Sequence, residues 1–343
     1  MVRRVLIVAI VYSVVLAVSA QAAHSDLPKT MQAVAMDHTG GPDVLQLRTL
    51  PVPGVGADEV LIATLTASVG VWDSGIRTKL NYISQPRFPF VMGSDGAGTI
   101  AAVGSAVTTF KVGDPVYAYN WDNPKGGFYA QYVAVPAKRV GHLPKAIALD
   151  KAGALGASGL TAIQGVDDAL HIKAGETLIV HGASGAVGTL AIQFAKLRGA
   201  KVLAIASGED GVALVRRLGA DAAIDGKKED IAAAVRRFAP RGADALLALA
   251  GGDALQRCME ALRAGARVAY PNGSPKPNAR TRVDVTAYDA ISGTQEYLRL
   301  NQAIEARKFE IPIAAEFPLA DAAQAHQRIE AGHVLGKIIL RVR

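Results

Sequence analysis

The spacing of apolar positions changes character near residue 150. From Met31 to about Leu149 they fall in short runs broken by Gly and Pro, such as 59–66 and 98–103, which predict the strands of a compact β-barrel-like domain. From about Lys151 a different rhythm takes over. The near-continuous apolar run 177–181 predicts a parallel strand buried on both faces, and 186–197 predicts a helix with Leu190, Phe194 and Leu197 on one face. Strand 201–206, helix 211–218, strand 222–224, helix 230–238, strand 244–249, helix 255–262 and strand 267–270 follow in alternation, so the fold class is α/β with a doubly wound parallel sheet. Segment 271–277 is a polar, proline-containing loop. The closing pieces, helix 321–331 and strand 337–342, are too little for a domain and pack back onto the first one.

Between the first parallel strand and its helix lies Gly182-Ala-Ser-Gly-Ala-Val-Gly188. With 35 glycines in 343 residues the bare spacing arises by chance roughly 0.3 times per chain, so its place between strand and helix is what gives it meaning. There Gly182 and Gly185 let the backbone approach a pyrophosphate, Gly188 permits close helix-strand packing, and the helix start at Ala186 and Val187 offers N–H groups to the anion. A carboxylate that would hold a ribose 2′-hydroxyl is missing at the end of the second strand, where Ala206-Ser207 stands, and this favours NADPH. Asp210 opposes that preference, although Ser207 with Asp210 reads equally as a capping box in which both side chains serve backbone N–H groups.

Composition narrows the class. Half of the residues are hydrophobic, which excludes a disordered chain, and the length suits two domains. The formal charge of +7 falls to +5 without the first 22 residues and is unclustered, so nucleic acid is not an expected partner. Cys258 is the only cysteine, which excludes an internal disulfide, and its helical setting predicts a packed thiol. Residues 1–22, with Arg3 and Arg4, an apolar stretch to Val18 and Ala20-Gln-Ala22, read as a secretory signal peptide cleaved after Ala22, leaving no membrane span in the mature chain; this predicts a periplasmic or secreted protein, or a cytoplasmic one if translation starts at Met31.

The opening run Met31-Gln-Ala-Val-Ala-Met-Asp-His-Thr-Gly-Gly-Pro-Asp-Val-Leu45 is followed in order by Gly93-Ser-Asp-Gly-Ala-Gly98, Val112-Gly-Asp-Pro-Val116, Gly126-Gly-Phe-Tyr-Ala-Gln-Tyr132, Gly159-Leu-Thr-Ala162, the glycine turn, and Leu218-Gly-Ala-Asp221. This ordered set resembles the zinc-independent quinone oxidoreductases, zeta-crystallin-like members of the medium-chain dehydrogenase/reductase superfamily. The resemblance covers 31–343. It implies a GroES-like catalytic domain at 31–150 completed by 290–343, a Rossmann coenzyme domain at 151–289, NADPH in the cleft between them, and a homodimer. Where zinc-dependent relatives carry a ligating Cys and His, this chain has Gly70 and Ser94, neither of which replaces a thiolate or imidazole, so no metal is expected.

The implied activity is hydride transfer from NADPH to a quinone or an α,β-unsaturated carbonyl, acceptors electrophilic enough to react without a Lewis acid. An enoyl-thioester reductase and a non-catalytic, crystallin-like NADPH-binding protein are the alternatives. The resemblance places Thr161 beside the nicotinamide, Tyr82 in the substrate cleft as hydrogen-bond or proton donor, and Lys337 near the coenzyme. Trp72 is a candidate aromatic wall, and Asp73 with Arg77 a candidate ion pair shaping the same loop. Gly182, Ala183, Ser184, Gly185, Ala186, Val187, Gly188, Ser207 and Asn272, the last at the carboxyl edge of the sheet, complete the expected coenzyme contacts.

Overall fold

The computed structural model describes residues 27–81, 83–278 and 283–343. The expected signal peptide and Tyr82 lie outside the described residues. The chain begins with β1 (Thr30–Met36), β2 (Gln46–Pro51), β3 (Glu59–Val69) and the short helix α1 (Asp73–Lys79). Strands β4 (Phe90–Val91), β5 (Asp95–Val103), β6 (Pro115–Tyr119), β7 (Tyr132–Pro136) and β8 (Val140–His142) follow. Strand β3 organises this half. Its eleven residues are rich in β-branched side chains and nearly all buried, and it pairs antiparallel with β5 along one edge. Along the other edge its first part pairs with β7 and its last four residues with the chain's final strand. β1, β2 and β4 form a separate three-stranded sheet.

Two helices, α2 (Leu149–Ala152) and α3 (Gly156–Gln164), lead into the second half. Then strand and helix alternate: β9 (Thr177–His181), α4 (Ala186–Leu197), β10 (Lys201–Ala206), α5 (Gly208–Arg217), β11 (Ala222–Asp225), α6 (Ile231–Phe238), β12 (Ala243–Ala248), α7 (Asp253–Glu260), β13 (Leu262–Pro271) and β14 (Asp284–Tyr288). These six strands form one parallel sheet in the order β11-β10-β9-β12-β13-β14. Separate apolar cores cover its two faces, one built on Leu178, Val180, Leu190 and Phe194, the other on Ile179, Leu203, Val235 and Met259. The sheet is therefore doubly wound, with its topological switch between β9 and β12.

The chain then returns through α8 (Thr294–Glu305), β15 (Ile313–Pro318), α9 (Ala322–Glu330) and β16 (Lys337–Arg341), which zips onto β3 and completes the barrel half. This return also alters α4. The periodicity predicts one apolar stripe, but every residue from Gly188 to Ala195 is buried, because α3 packs against the helix as well as the sheet, and at the returning segment Gln193 exchanges hydrogen bonds with both backbone groups of Glu310 at 2.9 Å. Cys258 is packed in the core, and burial pushes its thiol up to about 12, as befits an inert residue.

Candidate functional site

At the carboxyl ends of the parallel strands the backbone opens into a cavity of about 410 Å³. Its lining includes His181, Gly182, Ser184, Ala206 and Ser207, with Lys227 and Arg257 at the rim. Gly182 has φ +78°, a conformation that an L side chain adopts only under strain, and it turns the chain sharply out of β9. Gly188 is needed for a different reason: a Cβ there would sit 2.5 Å from the Gly182 carbonyl oxygen and 2.6 Å from that of Ala183. Gly185 is unlike both. A Cβ built on it meets only the Gly182 carbonyl, at 3.4 Å, so the space beside it is open. The first N–H groups of α4, at Ala186 and Val187, have no intrahelical acceptor and carry the positive end of the helix dipole. Burial holds His181 below the usual imidazole range, so the cavity floor adds no charge near neutral pH.

Ser207 caps α5 without a side-chain hydrogen bond, and the helix begins at Gly208, three residues before the expected start. The capping box is not formed. Asp210 Oδ1 accepts from the N–H of Gly211 at 2.8 Å and Oδ2 meets His333 Nε2 at 2.9 Å, so neither oxygen serves Ser207. Asn272 sits exposed beyond β13 with its amide donating to Asp289 at 2.8 Å. Thr161 lies inside α3, where its hydroxyl donates to the Ala157 carbonyl one turn back at 2.7 Å.

The second part of the site lies where β3, β5 and β16 meet. A Cβ on Gly70 would overlap the Trp72 indole, so that ring occupies the space into which a side chain at 70 would project. Trp72 Nε1–H donates to Ser94 Oγ at 3.1 Å. One indole thus fills the gap between the two positions at which the zinc branch places ligands. Trp121 stands 5.8 Å from Trp72, centroid to centroid, and Tyr119 6.4 Å from Trp121, giving an aromatic wall. Strand β16 brings the glycine turn to this wall: the N–H of Gly336 donates to the Ser184 carbonyl at 2.9 Å, and the next residue, Lys337, holds its buried ammonium 4.5 Å from the Trp72 ring centroid. Gly336 thus joins the glycine turn through its backbone, and Lys337 beside it joins the aromatic wall through its side chain.

Beneath the wall Asp73 and Arg77 are both buried, but they do not pair directly. Asp73 Oδ2 accepts from the N–H of Gly70 at 2.8 Å and from Tyr129 Oη–H at 3.0 Å. Tyr129 in turn lies 3.1 Å from His326 Nε2, and His326 Nδ1 lies 3.0 Å from Arg77 Nη1. A guanidinium only donates, so Nδ1 is the acceptor and Nε2 carries the proton, which it gives to Tyr129. Arg77 is neutralised elsewhere, by Glu330 at 2.7 Å. Burial pushes Asp73 up to about 6, against the lowering pull of the Gly70 N–H, Lys337 and the Tyr129 hydroxyl. The network ties α1 to α9 and fixes the loop that carries Trp72. A second buried carboxylate, Asp95, accepts from Ser68 and Ser94 on one oxygen and from the N–H of Ala157 at 3.0 Å on the other, locking α3 to the barrel half.

The coenzyme turn was readable in the sequence; Lys227, Arg257, Trp121 and Tyr119 were not singled out there. Lys227 carries a faint signal, as the first cation after the third parallel strand, while Arg257 reads as an ordinary helix-surface residue.

Residues 56–145 match the alcohol dehydrogenase GroES-like domain model and residues 218–340 a zinc-binding dehydrogenase model. A quinone oxidoreductase of Rattus norvegicus is 31% identical over 91% of this chain and 98% of its own length. The chain belongs to the quinone oxidoreductase family of medium-chain dehydrogenases/reductases. Within that family it is also similar to an NADPH-dependent alkenal/one oxidoreductase of Arabidopsis thaliana, 32% identical over 93% of this chain and 81% of the other. A mycobacterial structure complexed with NADPH superimposes with a TM-score of 0.81 at 27% identity, covering 91% of this chain and all of the other. No helix among the described residues is long and apolar enough to cross a membrane.

Proposed function

We propose that this member of the quinone oxidoreductase family is a zinc-independent reductase that moves hydride from NADPH to a quinone or an α,β-unsaturated carbonyl. The observation that carries the proposal is the Trp72 indole lodged between Gly70 and Ser94. The description of one matched family model implies zinc, and the residues here do not fit it: Gly70 offers no ligand atom, the Ser94 hydroxyl is engaged by the indole N–H, and the described residues contain no cluster of three His, Cys, Asp or Glu side chains. What stands there instead is the Trp72 ring with a cation on its face and two further aromatic rings inclined to it, a setting for a planar, electrophilic ring.

The 182–188 turn fits a dinucleotide pyrophosphate, with the Gly185 side open and the N-terminus of α4 directed at the anion. Gly182, Ala183, Ser184, Gly185, Ala186, Val187 and Gly188 would hold the pyrophosphate, with Ser207 at the ribose and Asn272 at the far carboxyl edge of the sheet. When bound, the coenzyme supplies the hydride. Trp72 orients the acceptor, and the wall of Trp72, Trp121 and Tyr119 excludes water from it. Lys337 supplies positive charge where an acceptor oxygen becomes negative. Thr161 stays the proposed contact beside the nicotinamide: its hydroxyl proton is spent on the Ala157 carbonyl within α3, and its oxygen can still accept. Tyr82 stays the proposed donor of the final proton, with solvent as its competitor.

We also read 1–22 as a cleaved signal peptide and the exposed edge strand β14 as the contact of a homodimer. Edman sequencing of protein from its native cell checks the first, with Ala23 expected. The domain division is placed at about 150, where the strand rhythm changes, and at about 289, where the resemblance implies that the chain returns to the first domain. The function itself is tested by NADPH oxidation with a simple quinone, an enone and an enoyl thioester in parallel. Turnover of the quinone or enone supports it, turnover of the thioester alone assigns the protein to the thioester reductases, and no oxidation with any acceptor makes it a binding protein only.

A further inference from the structure

Resting on the NADPH reading above, we propose that this chain recognises the 2′-phosphate of NADPH with Lys227 and Arg257, which line one cavity from the segments that follow β11 and β12. The sequence points instead to Asp210 on α5, but Asp210 does not line the cavity and is held by His333 and Gly211. Lys227 reaches it through strand register. Ala206 of β10 pairs with Asp225 of β11, and the N–H of Gly226 donates to the Ala206 carbonyl at 3.0 Å, so the chain leaves the sheet alongside Ser207. The buried carboxylate of Asp225 fixes this exit by accepting from the Lys227 N–H at 3.0 Å. From further along the strand order comes α7, which follows β12 and carries Arg257 one turn after Asp253.

Position sets these two cations apart: they are the two Lys or Arg residues on the cavity lining, and neither is spent on a carboxylate among the described residues. Lys228, next to Lys227, meets Glu209 at 3.5 Å, and Arg263, Arg267 and Arg299 all hold carboxylates. Lys227 and Arg257 have no ion pair among the described residues, although both line the cavity. Asp253 is the single acid on the same lining, so the cavity keeps a positive excess. A phosphate monoester carries a charge of roughly −1.5 to −2 near neutral pH and takes several charge-assisted hydrogen bonds. Two unspent cations with the Ser207 hydroxyl on the same lining suit that group, whereas the bare 2′-hydroxyl of NADH would leave both cations facing nothing. Ile205, Ala206, Ala250 and Ala254 give the same cavity an apolar floor for the attached adenosine.

The test is a set of calorimetric titrations with NADPH, NADH and adenosine 2′,5′-bisphosphate on wild type, Lys227→Met, Arg257→Met, the double variant and Asp210→Asn. Each single variant is expected to weaken NADPH and the bisphosphate about 10-fold, with NADH changed by less than about twofold, as loss of one charge-assisted contact predicts. The double variant should lose the preference for NADPH altogether, and Asp210→Asn should leave the preference unchanged. Unchanged NADH binding doubles as the control for folding. A double variant that keeps the wild-type ratio of NADPH to NADH affinity overturns the proposal while leaving the coenzyme reading intact, as does equal weakening of both coenzymes. A wild type that binds NADH more tightly than NADPH overturns the coenzyme reading itself.

Discussion

Three glycines in one turn carry three separate demands, and the substitutions that expose them differ in outcome. Because open space lies beside Gly185, Gly185→Asp is expected to fold normally, yet its carboxylate faces the proposed pyrophosphate site and should weaken NADPH by more than about 100-fold. Circular dichroism and calorimetry on the same sample check both halves; tight NADPH binding by the folded variant would show that the turn is only structural. Gly188→Ala is expected to cost about 1 to 3 kcal/mol of stability in urea unfolding, since the added Cβ meets fixed backbone rather than a movable side chain. At Trp72 the demand is on the acceptor. Trp72→Ala should lower kcat/KM for a quinone by about 10-fold or more while leaving the NADPH dissociation constant nearly unchanged, as loss of an aromatic contact predicts. A variant with wild-type kcat/KM would remove the indole from the account. The turn was legible in the sequence because all its parts lie within seven residues. Trp72, Ser94 and Lys337 lie far apart along the chain, and only the pairing of β3 with β5 and with β16 brings them together.

Elements show the same division between local and non-local signals. β9 and β10 announce themselves as apolar runs because they are buried on both faces. β14 and β15 show no such run. They lie at sheet edges and are little buried, so no apolar alternation marks them; β13 is interior to the sheet but extends well before the expected 267–270, because its first four residues are not buried. The link between α1 and α9 was equally hidden, since it is made by polar groups buried against each other. That link makes a pH prediction. Asp73, pushed up to about 6, binds its proton more tightly folded than unfolded, so its contribution to stability falls as pH rises from the ordinary carboxylate range to about 6. His326, held down to about 4 by burial and by Arg77, binds its proton more weakly when folded, so its contribution rises with pH up to the ordinary imidazole range. Each shift of roughly two units corresponds to about 3 kcal/mol, and in the wild type the two largely cancel. Asp73→Asn removes the first alone. Its unfolding free energy should climb by about 3 kcal/mol between pH 4 and 6.5 while that of the wild type stays nearly level; a level profile for the variant would contradict the network.

On the scale of the whole molecule, the returning C-terminal segment makes one enzyme of two halves. It closes the barrel through β16, covers α4 through Glu310, and touches the coenzyme turn through Gly336 before placing Lys337 on Trp72. The two-part fold was legible from the change in strand rhythm near residue 150. The joint was not, because a short helix and a strand at the chain's end give no sign of which surfaces they cross. In the proposed mechanism this joint, with the indole in the place of a metal, supports hydride transfer unaided. The most direct measurement of this is the steady-state rate of NADPH oxidation by a simple quinone after exhaustive dialysis against a strong chelator, with residual zinc assayed in the same sample, and again after zinc is added back. Full turnover in the metal-free protein, unchanged by added zinc, is the predicted result; loss of turnover restored specifically by zinc would contradict it.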